Sequence, residues 1–282
     1  MGLMMKAVKT LALTTALTAG MTGVASAADY SDDIHKNDFS WMQFNYMYAL
    51  DEKPRAVDAA TGHDYLEMEF GGRSGIFNLY GYVDVFNPSE RESSGKYQKQ
   101  KMFMKFAPKV SLDALTGKDL SFGPVKEIYF STLFNWDGGA NNDTSYAVNN
   151  SFWGVGADVE VPWLGKTAMN LYGLYDLNTK DWNGYQFSAN WFKPVYNFDN
   201  GSFVSFQGYV DWQFGADTVR DDEGVKTNSS NGGAAFFGLF WHSEQFALGY
   251  GLKAYSDVYL IADTADFEST GVSHYFSASY KF

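Results

Sequence analysis

Residues 271–282, GVSHYFSASYKF, alternate with period two to the end of the chain. Val272, His274, Phe276, Ala278, Tyr280 and Phe282 form a mostly apolar row. Ser273, Tyr275, Ser277, Ser279 and Lys281 form a mostly polar one. Successive side chains of a strand point to opposite faces, so the pattern predicts a strand with a different solvent on each side. At the free edge of a soluble sheet, such a strand would offer unpaired backbone and bare aromatic rings to any neighbour. Pairing it with the first strand of a closed barrel removes the edge, and closure is what a bilayer demands of strands.

The alternation recurs along the chain. In 40–48, Met42, Phe44, Tyr46 and Tyr48 oppose Trp41, Gln43 and Asn45; Leu66, Met68 and Phe70 then oppose Tyr65, Glu67 and Glu69. Further on, Phe77, Leu79, Val83 and Val85 oppose Asn78, Tyr80, Tyr82 and Asp84, and Met104, Phe106, Val110 and Leu112 oppose Lys105, Lys109 and Ser111. About a dozen such segments predict an all-β, transmembrane antiparallel β-barrel of about 12 strands, an even number as bacterial barrels require. Longer polar connections (51–63, 87–100, 137–145, 215–230, 256–269) follow the odd strands. Shorter ones, marked by Gly or Pro (71–75, 113–119, 162–166, near 200–201, 242–245), mostly follow the even strands. Long outer loops and short periplasmic turns have this rhythm. A soluble sandwich or calyx also alternates, but it has no need of this rhythm.

Residues 1–27, with Lys6, Lys9, an apolar stretch and Ala25-Ser26-Ala27, read as a secretory signal peptide, leaving 28–282 as the barrel. No later run reaches the ~18 apolar residues of a spanning helix. The chain has no cysteine, so disulfides do not hold it together. Its net charge is −12, and −14 without a leader that holds two of the 21 Lys and Arg and none of the 33 Asp and Glu. That balance argues against a nucleic-acid partner, which needs a basic footprint. An aromatic share of 18% with a mean hydropathy of −0.28 suits girdled alternating strands better than a buried soluble core.

With the apolar rows toward lipid, the polar rows line a lumen. They supply carboxylates (Glu67, Glu69, Asp84, Glu127, Asp158, Glu160, Asp176, Asp211), cations (Lys105, Lys109, Lys253, Lys281) and rings (Trp41, Tyr65, Tyr80, Tyr82, Tyr129, Tyr172, Tyr209, Tyr255). A plain ion pore needs rings of charge and few aromatics. Phenolic rings beside carboxylates suit a ligand with a flat face and hydroxyl groups, such as a nucleoside. The candidate lumen set is Trp41, Glu67, Glu69, Tyr80, Tyr82, Asp84, Lys105, Glu127, Tyr129, Asp211, Lys253 and Tyr255. The plainer reading of any one of these charges is a paired brace of the barrel wall.

The segments 66–86, 104–130 and 181–194 resemble the Tsx family of nucleoside-specific outer-membrane channels and, within it, the OmpK branch. DLSFGP-x-K-E-x-Y-F at 119–130 is the most specific part, and the resemblance extends over about 29–282. It implies a monomeric barrel of about twelve strands in the bacterial outer membrane. Nucleosides and deoxynucleosides would pass through its aromatic and ionisable channel, lipid including lipopolysaccharide would surround it, and bacteriophages would use its outer loops. Glu67, Tyr80, Tyr82, Asp84, Glu127 and Tyr129 match strand positions that the family shares.

Other functions find less support. A hydrolase needs a nucleophile and base held together, yet no G-x-S-x-G elbow occurs. Of the four histidines (His35, His63, His242, His274), His242 falls in an expected turn and His274 on the lipid-facing row. The acidic groups Asp221-Asp222-Glu223 and Asp263, Asp266, Glu268 lack EF-hand spacing and read as solvated loops, so no metal or cofactor is expected. The competing readings are a plugged structural or adhesive barrel, or a general small-solute pore, with function in the extracellular loops.

Overall fold

The alternating segments become twelve antiparallel strands in the computed structural model, which describes residue 30 and residues 32–137 and 148–282. They are β1 (Phe39–Leu50), β2 (Gly62–Ser74), β3 (Phe77–Phe86), β4 (Met102–Phe106, resumed at Lys109–Ser111), β5 (Val125–Asp137) and β6 (Asn149–Val161). There follow β7 (Gly165–Asp176), β8 (Asp181–Asn197), β9 (Phe203–Phe214), β10 (Asn231–His242), β11 (Phe246–Ser256) and β12 (Gly271–Lys281). Each pairs with its sequence neighbour, and β12 pairs with β1 from Gln43–Lys281 to Leu50–His274, closing the ring. The leader expected at 1–27 and the loop expected at 137–145, apart from Asp137, lie outside the described residues.

The apolar rows face outward. Tyr46, Leu66, Phe130, Val155, Leu171, Leu239, Leu248 and Phe276 are all exposed, as a lipid-facing belt requires. No helix among the described residues is long and apolar enough to cross a membrane. Two- and three-residue connections (75–76, 162–164, 243–245) share one end of the barrel with the first residue of β1 and the last of β12. Connections of more than ten residues (51–61, 87–101, 215–230, 257–270) crowd the other end. The short-turn end is therefore the periplasmic one. The four residues 177–180 are the exception among the outer loops described.

Four local expectations are corrected. The turn expected at 71–75 is confined to Gly75 and Ile76, and β2 runs through Ser74. Gly71 and Gly72 are small for another reason: a Cβ at Gly71 would lie 2.7 Å from the Trp41 indole nitrogen, and one at Gly72 would lie 2.6 Å from the Phe39 carbonyl oxygen. Loop 51–63 ends at Thr61, which places His63 inside β2. Leu112 does not extend β4. It opens α1 (Leu112–Thr116), capped by the Ser111 hydroxyl on the Ala114 amide and closed by left-handed Gly117. Buried Asp113 accepts the Leu120 and Ile128 amides and ties this connection to β5. His242 ends β10 rather than forming a turn, and its Nε2 lies 2.8 Å from the Ser205 hydroxyl.

Candidate functional site

The inward rows enclose a cavity of about 2800 Å³. Its lining runs from Lys36 and Ser243 at the periplasmic end to Glu52, Lys96 and Tyr259 at the outer end. Ten of the twelve sequence-predicted lumen residues line it. Tyr129 and Tyr255 do not, because both are buried behind the lysines that cover them.

One wall is acidic and aromatic. Register places Glu67 opposite both Asn45 and Asp84, and Glu69 opposite both Gln43 and Tyr82. Asn45 donates to Glu67 (2.5 Å) and Glu69 (3.2 Å), Gln43 donates to Glu69 (2.7 Å), and the Tyr80 hydroxyl donates to Glu69 (2.8 Å). Beside these carboxylates the rings of Trp41, Tyr80, Tyr82 and Phe103 stand in file, with successive centroids 6.2–6.3 Å apart. The Asp84 Oδ1 atom is buried without a protein partner.

Two cations stand in the lumen, Lys105 beside this wall on β4 and Lys253 across from it on β11. Lys105 Nζ lies 3.1 Å from Asp211 Oδ2 and 5.6 Å from the Tyr209 ring centroid. Lys253 Nζ lies 5.8 Å from that same ring, 5.0 Å from the ring of Tyr255 and 5.8 Å from that of Tyr275, a tyrosine cage around an ammonium group. Next to it Phe236 and Phe240 point inward and lie over the glycines of β10 and β11.

The two ends are braced. At the periplasmic end Glu127 accepts from Arg73 (3.0 Å), Ser111 (2.5 Å) and Tyr30 (2.6 Å), so its oxygens are engaged by protein. Tyr129 donates to Asp158 (3.1 Å), which also pairs with Lys166 (2.6 Å). At the outer end Glu52 meets Lys96 (3.2 Å), His63 (3.1 Å) and the Tyr275 hydroxyl (2.8 Å). Burial alone would raise the Glu52 carboxyl, but Lys96 and His63 beside it hold it well below the usual carboxylate range. Glu268 pairs with Lys53 and Arg55, and Asp263 accepts the Ser269 and Thr270 amides. Glu268 therefore ties two loops together, whereas Asp263 is exposed and braces its own loop. Asp176, expected in the lumen, instead accepts the Asn178 and Thr179 amides of its own turn.

The structure thus groups Trp41, Glu67, Glu69, Tyr80, Tyr82 and Asp84 on one wall, sets Lys105 against Asp211, and separates Glu127 as a brace. Sequence reasoning missed Arg73, hidden in a supposed turn, and Glu52, hidden in a loop. It also missed Phe103, Phe236 and Phe240, which are apolar yet inward. Their register was available: Phe236 alternates with the lipid-facing Phe237.

A family model described as nucleoside-specific channel-forming protein, Tsx, matches residues 36–282. Outer membrane protein OmpK of Vibrio parahaemolyticus is 58% identical over 271 residues, covering 96% of this chain and 98% of that protein. The nucleoside-specific channel-forming protein Tsx of Klebsiella aerogenes is 30% identical over 240 residues, covering 77% and 81%. Its Salmonella typhimurium counterpart is 29% identical over 231 residues, covering 78% of each.

Proposed function

Because this chain belongs to the Tsx family of nucleoside-specific channel-forming proteins, we propose that its lumen passes nucleosides and deoxynucleosides by diffusion. The protein is a β-barrel of the bacterial outer membrane, and its relatives are outer-membrane channel proteins rather than enzymes. The observation that carries the nucleoside reading is the file of Trp41, Tyr80, Tyr82 and Phe103 alongside Glu67, Glu69 and Asp84. Flat ring faces stack any base, and carboxylate oxygens accept ribose hydroxyls.

The test is single-channel recording of the purified protein in a planar bilayer with adenosine or thymidine titrated in. Saturable block, absent with sugars of similar size, is the expected result. Base stacking contributes about 1–3 kcal/mol, so Tyr82→Ala should weaken block by roughly 5- to 150-fold. Asp84→Ala should weaken it by losing an acceptor. Unchanged block in both variants would remove these residues from the site.

A conductance indifferent to nucleosides would favour the general-pore reading, and no conductance the plugged one. A cavity whose lining reaches both ends supports passage over a plug. The outer loops, braced by Glu268 and Asp257, are a platform that a bacteriophage could use as a receptor. Closure without a free edge supports a monomer surrounded by lipid and lipopolysaccharide.

A further inference from the structure

We propose that the Lys105–Asp211 ion pair is a strut that crosses the lumen, confines solute to one side of it and sets the size limit of the channel. The proposal rests on the reading of the barrel as a diffusion channel, but not on which solute it passes.

The pair differs from the other lumen bridges in what it spans. Lys166 and Asp158 sit on the neighbouring strands β6 and β7, so their contact stiffens a wall. Lys105 lies on β4, between Tyr82 of β3 and Asn135 of β5, whereas Asp211 lies on β9, between Ser188 of β8 and Ala234 of β10. In a ring of twelve these strands are five steps apart one way and seven the other, close to a full diameter. Nζ and Oδ2 nevertheless meet at 3.1 Å.

What lies on each side assigns the path. Toward β5–β8, Leu133, Phe152, Tyr172 and Leu174 are buried in one cluster with Ala107, and Tyr80 packs on it, which narrows that side although Leu133 and Tyr172 still border the cavity. Toward β10–β11, a Cβ at Gly249 would lie 2.1 Å from Phe240 and one at Gly251 would lie 2.2 Å from Phe236. The two rings are therefore laid back against bare backbone, and that side stays open. Solute passes between the strut and this ring-covered wall, with Glu67, Glu69 and Asp84 alongside. Side chains left 19% and 24% exposed are a tie that solvent and ions reach, which suits a sieve bar better than a source of stability.

The experiment compares Lys105→Met, Asp211→Asn and the exchanged pair Lys105→Asp with Asp211→Lys. Single-channel conductance is read together with influx of a nucleoside, a disaccharide and a nucleoside monophosphate into proteoliposomes. Each single variant should raise conductance about twofold as the constriction widens and should admit the disaccharide. The exchanged pair should return both to the parental values. Single variants that match the parent would overturn the strut, as would an exchanged pair that behaves like the single variants. If one single variant does not assemble, judged by circular dichroism, the other reports from the opposite end of the bridge. Failure of both would overturn the proposal in favour of a bridge needed for folding. A parent that is indifferent to nucleosides defeats the nucleoside reading alone, because the size limit is scored separately.

Discussion

Glu52 shows how one side chain joins parts of the barrel that are distant in sequence. It sits in the first outer loop and meets Lys96 of the second, His63 of β2 and Tyr275 of β12. Its carboxyl ordinarily titrates near 4.5 and is held well below that here, by cations that outweigh its burial. A group with a depressed folded pKa adds stability that is present above its unfolded value and lost as pH falls through the folded one. The mouth should therefore stay tied from neutral pH to mild acid and loosen only below about 4.5. Glu52→Gln should lower stability at neutral pH by about 2 kcal/mol, and the gap to the parent should close in strong acid. Thermal unfolding followed by circular dichroism between neutral and acid pH measures this, and a gap that widens on acidification would sink the assignment. None of this was legible in the sequence, where Glu52 lay in a polar loop with nothing to name its partners. Trp41, Glu67, Glu69, Tyr80, Tyr82 and Asp84 were legible because each stands on the polar row of a regular strand.

At the scale of a strand pair, alternation fixes which residues share a face but not what that face meets. The β10–β11 wall is the case in point. Phe236 and Phe240 belong to the inward row, yet apolar character alone would send them to lipid. The signal lay across the ladder: Phe240 pairs with Gly249, and Gly238 pairs with Gly251. A ring beside glycines lies flat on the backbone instead of standing into the lumen. A Cβ at Gly249 would meet the Phe240 ring at 2.1 Å, so Gly249→Ala must lift that ring. Single-channel conductance should fall in Gly249→Ala and recover when Phe240→Ala is added. An unchanged conductance would mean that the ring slides along the wall, and the open side would need another explanation. The same limit accounts for α1. Leu112 continues the apolar alternation of β4, and only the Ser111 cap and Gly117 reveal a helical turn there.

At the scale of the molecule, the number of strands and the rhythm of the connections were legible because closure and sidedness leave periodic traces along the chain. The ties between the outer loops were not, because they join separate irregular loops, some of them more than 200 positions apart. Arg55–Ala56 pairs with Phe267–Glu268 above the seam where β12 meets β1, and Lys53 and Arg55 both bind Glu268. A second tie runs from Asp257 to Lys226 and Ser229. The outer end is thus a set of cross-linked loops, while the opposite end has turns as short as Gly75 and Ile76. That asymmetry fixes which part of the protein a cell displays. A protease site inserted in the exposed tip between Val219–Arg220 and Lys226–Asn228 should be cut on intact bacteria. The same insertion between Gly75 and Ile76 should be cut only after the outer membrane is permeabilised. Cleavage in the reverse order would invert the barrel in the membrane. Solute would then meet the Glu127 end first, where Arg73, Ser111 and Tyr30 engage the carboxylate, and the Glu52 mouth with its linked loops would face the periplasm.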